Sequence, residues 1–227
     1  MSSAAAGLGR AVRRAPGTSV WFVALTATTV VLANLPERVQ ERLLVRRSTN
    51  LHQLAHHPIR VLVTSAFWIS PSVVLVWLGL AQFLLLFLVF LGPVERWLGT
   101  LRWLAVVVTG HAGGTLASQG LLALRISLGQ ESHALVFDVD VGASYGVAAA
   151  AGVLVWRLAR PWSARYALTV TGLLVLALLV NRTYDDVGHL AAFLLGVACR
   201  PLAHDRPVWD PALAWRRRGR ATSSDQS

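Results

Sequence analysis

The stretch Asp140-Val141-Gly142-Ala143-Ser144-Tyr145-Gly146 opens an apolar run that continues to Leu158. It sets a serine hydroxyl near the start of a membrane-buried helix, flanked by residues small enough for another helix to come close. Asp185-Asp186-Val187-Gly188-His189 sets an imidazole at the matching point of a later run. At 1.5 Å rise per residue, both side chains lie ~5 Å inside the ends of their helices. The functional reading turns on whether the two side chains meet.

The sequence encodes a close approach. Gly142, Gly146 and Ala150 recur every four residues, and so do Gly188, Ala192 and Gly196. Small-xxx-small faces let membrane helices pack backbone to backbone. Ser144 and His189 border these faces, so a hydrogen bond between them is open. The imidazole would take the serine proton and make the hydroxyl a nucleophile. The unpaired N–H groups of the first helical turn would stabilise a developing oxyanion. A serine in a membrane helix ordinarily bonds back to a carbonyl. An intramembrane histidine points to function by default.

Outward from this pair, the chain is strongly apolar: 55% of its 227 residues are hydrophobic and 14% charged, against roughly 25% charged in soluble domains. Six runs approach the ~20 residues needed to cross hydrocarbon: Thr18–Leu35, Ser72–Leu91, Leu101–Leu124, Val141–Leu158, Ala164–Val180 and Asp186–Leu202. The reading is all-α, a polytopic six-helix membrane domain over residues 18–202. It lies between a tail at 1–17 and a basic tail at 203–227, expected to be disordered. Pro71 is expected to divide the second run and Gly92-Pro93 to end it, with Glu95-Arg96-Trp97 at the interface. Residues 36–60 suit an interfacial amphipathic segment.

The formal charge is +10, carried by arginine alone with no lysine, a bias that points to a GC-rich, bacterial genome. Arginines crowd both termini and the loops at Arg96/Arg102 and Arg157–Arg165. The positive-inside rule then puts both termini in the cytoplasm of a cell-membrane protein. The loops holding Asp138/Asp140 and Asp185/Asp186 face outside; the arginines of the first loop run against the rule. The basic excess reads as topology and lipid contact, with no nucleic acid partner. Cys199 is the single cysteine, which excludes an intrachain disulfide and a Cys-rich metal site. His52, His56 and His57 lack further ligands and read as surface residues; His111 reads as packing. Asp138, Asp140, Asp185 and Asp186 read first as helix caps. No metal or cofactor is expected.

On these residues the chain resembles the rhomboid superfamily of intramembrane serine proteases, over roughly Arg60 to Leu202. Arg60-Val-Leu-Val-Thr-Ser-Ala-Phe67 is similar to the family's R-L-[IV]-T-[SA]-x-F. Gly92-Pro-Val-Glu95-Arg-Trp-Leu-Gly99 is similar to its E-x-x-x-G turn. Gly142-Ala-Ser144 matches the start of its G-x-S-G, and Gly188-His189-Leu-Ala-Ala-Phe-Leu-Leu-Gly196 its histidine helix. The resemblance implies a six-helix bundle with a water-accessible dyad, Ser144 the nucleophile and His189 the base. It implies transmembrane protein substrates, cleaved near the membrane surface.

Two departures keep a second reading open. Tyr145 stands where the family has glycine, with Gly146 one place later. The family's His-x-x-x-Asn oxyanion pair is missing; Gln82 is the sole amide between Phe67 and Gly92. Losing one oxyanion donor costs ~10²–10³ in rate. The alternative is a catalytically silent relative that binds transmembrane segments for sorting, folding or assembly. A small transporter or channel would need more polar lining than these spans carry.

Overall fold

The structure, a computed structural model, describes residues 12–69 and 76–213. Pro71 and Arg216-Arg217-Arg218 lie outside the described residues. Each apolar run folds mainly as helix over its described residues. In chain order the helices are α1 (Pro16–Ala33), α2 (Glu37–Arg47), α3 (Leu51–His56), α4 (Pro58–Ser65), α5 (Val76–Leu98), α6 (Thr100–Ser127), α7 (Ser144–Val153), α8 (Trp162–Asn181), α9 (Tyr184–Ala198) and α10 (Arg200–Ala203). Of these, α1, α5 and α8 are long and apolar enough to cross a membrane. The architecture is a polytopic helical bundle.

α6, α7 and α9 form its centre, and small residues are the reason. A Cβ added at Gly110 would fall 2.0 Å from the Ala149 Cβ. One at Gly114 would lie 2.9 Å from the Gly188 carbonyl, and one at Gly196 2.0 Å from that of Ala149. Backbone therefore meets backbone along all three helices. Gly188, Ala192 and Gly196 form the expected face of α9. On α7 the expected face is displaced: Tyr145, Ala149 and Gly152 meet α9 and α6, while Gly146 packs on Trp21 of α1 and Val107 of α6. One residue turns a helix by ~100°, which swaps the neighbour a stripe faces.

α5 does not stop at Gly92-Pro93. It widens into a π turn over Phe87–Leu91 and continues to Leu98. The Gly92 N–H reaches back to the Phe87 carbonyl, so the wider turn absorbs the proline that a regular helix would reject. Gly99, at φ +85°, then turns the chain into α6. Glu95, expected at the interface, is 2% exposed. Its carboxylate accepts from the N–H groups of Gly17 at 2.8 Å and Thr18 at 2.7 Å, and from the Thr100 hydroxyl at 2.8 Å. It caps α1, whose first turn has no side-chain cap of its own.

The first loop is helical and partly buried. Ser48, Thr49 and Asn50 are buried between α2 and α3, and Thr49 donates from N–H (3.0 Å) and hydroxyl (3.1 Å) to the Asp140 carbonyl. α4 ends against three other elements. The Leu62 carbonyl accepts from His111 Nε2 at 2.9 Å, that of Ser65 from the Gly142 N–H at 3.0 Å, and that of Ala66 from Trp21 Nε1 at 3.0 Å. The Phe67 carbonyl accepts from the Thr28 hydroxyl.

Residues 203–213, expected to be disordered, are docked. Arg102 pairs with Asp205 and donates to the Leu202 carbonyl at 3.1 Å. Trp97 Nε1 donates to Pro207 at 2.8 Å, and Trp209 pairs with Leu158 in a parallel bridge. The Arg102 guanidinium holds the Asp205 carboxyl down, at about 2.

Candidate functional site

Ser144 is the first residue of α7, and its cap residue, Ala143, offers no side-chain hydrogen bond. Asp138 and Asp140 therefore do not cap this helix. The turn into it is made by Gly142 at φ +124°, held by its N–H on Ser65. A side chain there would be strained whatever the space, and an added Cβ would lie 3.7 Å from Phe83 Cζ. Gln82, expected to shape the site, is exposed on α5; its neighbour Phe83 is the side chain that reaches Gly142.

His189 lies one turn into α9. The helix is capped by Thr183, whose hydroxyl accepts from the Asp186 N–H at 3.3 Å and donates to the Asp186 carboxylate at 2.5 Å. Nδ1 of His189 lies 2.9 Å from the Asp185 carbonyl. A carbonyl only accepts, so Nδ1 carries the hydrogen and Nε2 is the basic nitrogen of the neutral ring. Among the described residues no hydrogen bond joins Ser144 to His189. One turn deeper their stripes do meet: Ala148 and Ala151 of α7 pack in a cluster with Phe193 of α9.

Tyr145 fills the space beside the imidazole. Its ring centroid is 4.8 Å from that of His189, with 56° between planes. It also occupies the face of Gly188, where an added Cβ would lie 2.7 Å from the ring. The phenol oxygen lies 3.4 Å from the Asp140 carboxylate and 3.3 Å from that of Asp185. Gln119 Nε2 donates to Asp140 at 3.4 Å, and the Ser118 hydroxyl to Asp185 at 3.4 Å. One phenolic hydrogen cannot serve both carboxylates. Burial foremost, then the Asp185 charge, pushes the Asp140 carboxyl up to about 7. With its proton on, Asp140 would donate to the phenol oxygen and leave the phenolic hydrogen for Asp185.

Sequence reasoning missed Thr49, Ser118 and Gln119. Polar residues at 118 and 119 inside an apolar run were the available signal; for Thr49 there was none. His111 links α6 to α4, its Nε2 also 3.2 Å from Ser65 Oγ. The rings of His52 and His56 stack at 4.5 Å, and among the described residues no cluster suits a metal ion.

A family model described as "Rhomboid-like protein" matches residues 10–208. No curated protein and no solved structure matched the chain.

Proposed function

The chain belongs to the rhomboid-like proteins, a membrane-embedded family, and from that we propose that it is an intramembrane serine peptidase with Ser144 as nucleophile and His189 as general base. It would span the cell membrane six times with both termini cytoplasmic, and its substrates would be transmembrane segments of other proteins. The observation that carries the reading is the tautomer of His189: Asp185 takes the Nδ1 hydrogen, which leaves Nε2 free to accept a proton. The stripes bearing Ser144 and His189 converge one turn below them, which supports the same pairing.

In this reaction Nε2 takes the Ser144 proton as Oγ bonds to the scissile carbonyl carbon. The oxyanion accepts from the free N–H groups of the first turn of α7. The imidazolium then gives its proton to the departing amine, and water repeats the sequence on the acyl-enzyme. Proton transfer needs ≈2.6–3.2 Å between Oγ and Nε2, a contact that often tightens only with substrate.

A specific observation favours the second reading, a silent relative that holds transmembrane segments: the Tyr145 ring lies against the imidazole. Cleavage of tagged transmembrane substrates in liposomes separates the two. Loss of cleavage in both Ser144→Ala and His189→Ala supports the peptidase. Cleavage that persists in both sinks the dyad. Folded protein that neither cleaves nor labels with a fluorophosphonate supports the binding reading.

A further inference from the structure

A groove of about 710 Å³ runs between α1, α4 and α6. Val20, Ile59, Val63, Leu104 and Val108 line it and are exposed; Trp21 lies among its buried lining residues. Among the described residues no aspartate, glutamate or arginine lines it; His111 does, and neither Ser144 nor His189 does. Along α6 it extends from Thr100 to Ala112, ~18 Å at 1.5 Å per residue. Its exposed aliphatic lining suits hydrocarbon chains.

The end at Pro16 and Thr100 is basic. Arg13 and Arg14 are exposed just before Pro16 and together outweigh the single negative charge of Glu95, which accepts from the N–H groups of Gly17 and Thr18. We propose that the groove seats the acyl chains of an anionic phospholipid whose phosphate lies against Arg13 and Arg14. With the amino terminus cytoplasmic, as in the topology proposed above, this lipid belongs to the inner leaflet. Trp21 packs where Gly146 lacks a side chain, so the lipid braces the helix that bears Ser144 from behind.

The test is native mass spectrometry of the full chain in detergent, titrated with phosphatidylglycerol or phosphatidylcholine of identical chains. Wild type binds phosphatidylglycerol more tightly, and Arg13→Gln/Arg14→Gln loses that preference, by roughly fivefold per arginine. Val108→Trp, at an exposed position, narrows the groove and weakens both lipids. Equal affinities in wild type, an unchanged preference in the arginine variant, or undiminished binding by Val108→Trp each overturn the proposal. So does a transmembrane peptide that displaces phosphatidylglycerol from wild type. Ser144→Ala binds lipid as wild type does, so this result and the cleavage result fail separately.

Discussion

The imidazole of His189 rests on the ring of Tyr145, centroid to centroid 4.8 Å, so the proposed base packs against the residue that follows the proposed nucleophile. The same tyrosine joins Asp140 to Asp185 through its hydroxyl. Tyr145→Phe keeps the ring and removes that link. Unfolding in detergent is expected to show a loss of about 1–3 kcal/mol at neutral pH, the cost of leaving buried polar groups short of a partner. An unchanged unfolding curve would mean that the hydroxyl does not hold the two acids.

Asp140, in the loop ahead of α7, gives stability a pH dependence of unusual sign. Its folded pKa, about 7, is above the unfolded 3.8. The folded state therefore binds more protons between those values, and stability falls as pH rises through that window, then levels off. Melting temperature is expected to drop from pH 5 to pH 8 in wild type. Asp140→Asn flattens that drop. A variant with the wild-type slope would assign the effect to another group.

Two glycine substitutions should part company. At Gly196 an added methyl overlaps the Ala149 carbonyl at 2.0 Å, whereas at Gly172 nothing lies within 4 Å. Gly196→Ala is expected to cost about 1–3 kcal/mol or to prevent folding. Gly172→Ala is expected to be neutral or to add up to ~1 kcal/mol from helix propensity. Thermal melts of both variants check this.

Glu95→Ala strips the cap from α1. Hydrogen exchange at the Gly17 and Thr18 amides is expected to rise first, with a stability loss of about 1–3 kcal/mol. Protection of those amides in the variant would show that α1 starts without the carboxylate.

The sequence made the helices legible because each apolar run needed hydrocarbon or a partner along its length. The two candidate stretches drew notice for the same reason, since a polar group at the mouth of such a run stands out. Which neighbour each stripe faces was not legible: Gly146 and Ala149 differ by less than one turn, and only the assembled bundle decides that Gly146 meets Trp21. Glu95 read as an interface charge because its partners, Gly17 and Thr18, lie far back along the chain. The docking of Thr49 on Asp140 is a backbone-directed contact across the chain and leaves no periodic mark. Pro93 read as a helix stop because local rules do not foresee a π turn that makes room for it.

The end of α4 has a mechanical consequence. Carbonyls at Leu62, Ser65, Ala66 and Phe67 are each claimed by a different residue, on α6, the Gly142 turn and α1. Swinging this segment outward would strand several acceptors in hydrocarbon, each costing several kcal/mol. It is therefore a fixed post, and the Gly142 turn ahead of Ser144 is tethered to it. α8 is held more lightly: none of its residues is buried, and its Tyr166 hydroxyl donates to the Ala151 carbonyl of α7 at 2.9 Å, so widening of the bundle costs least there.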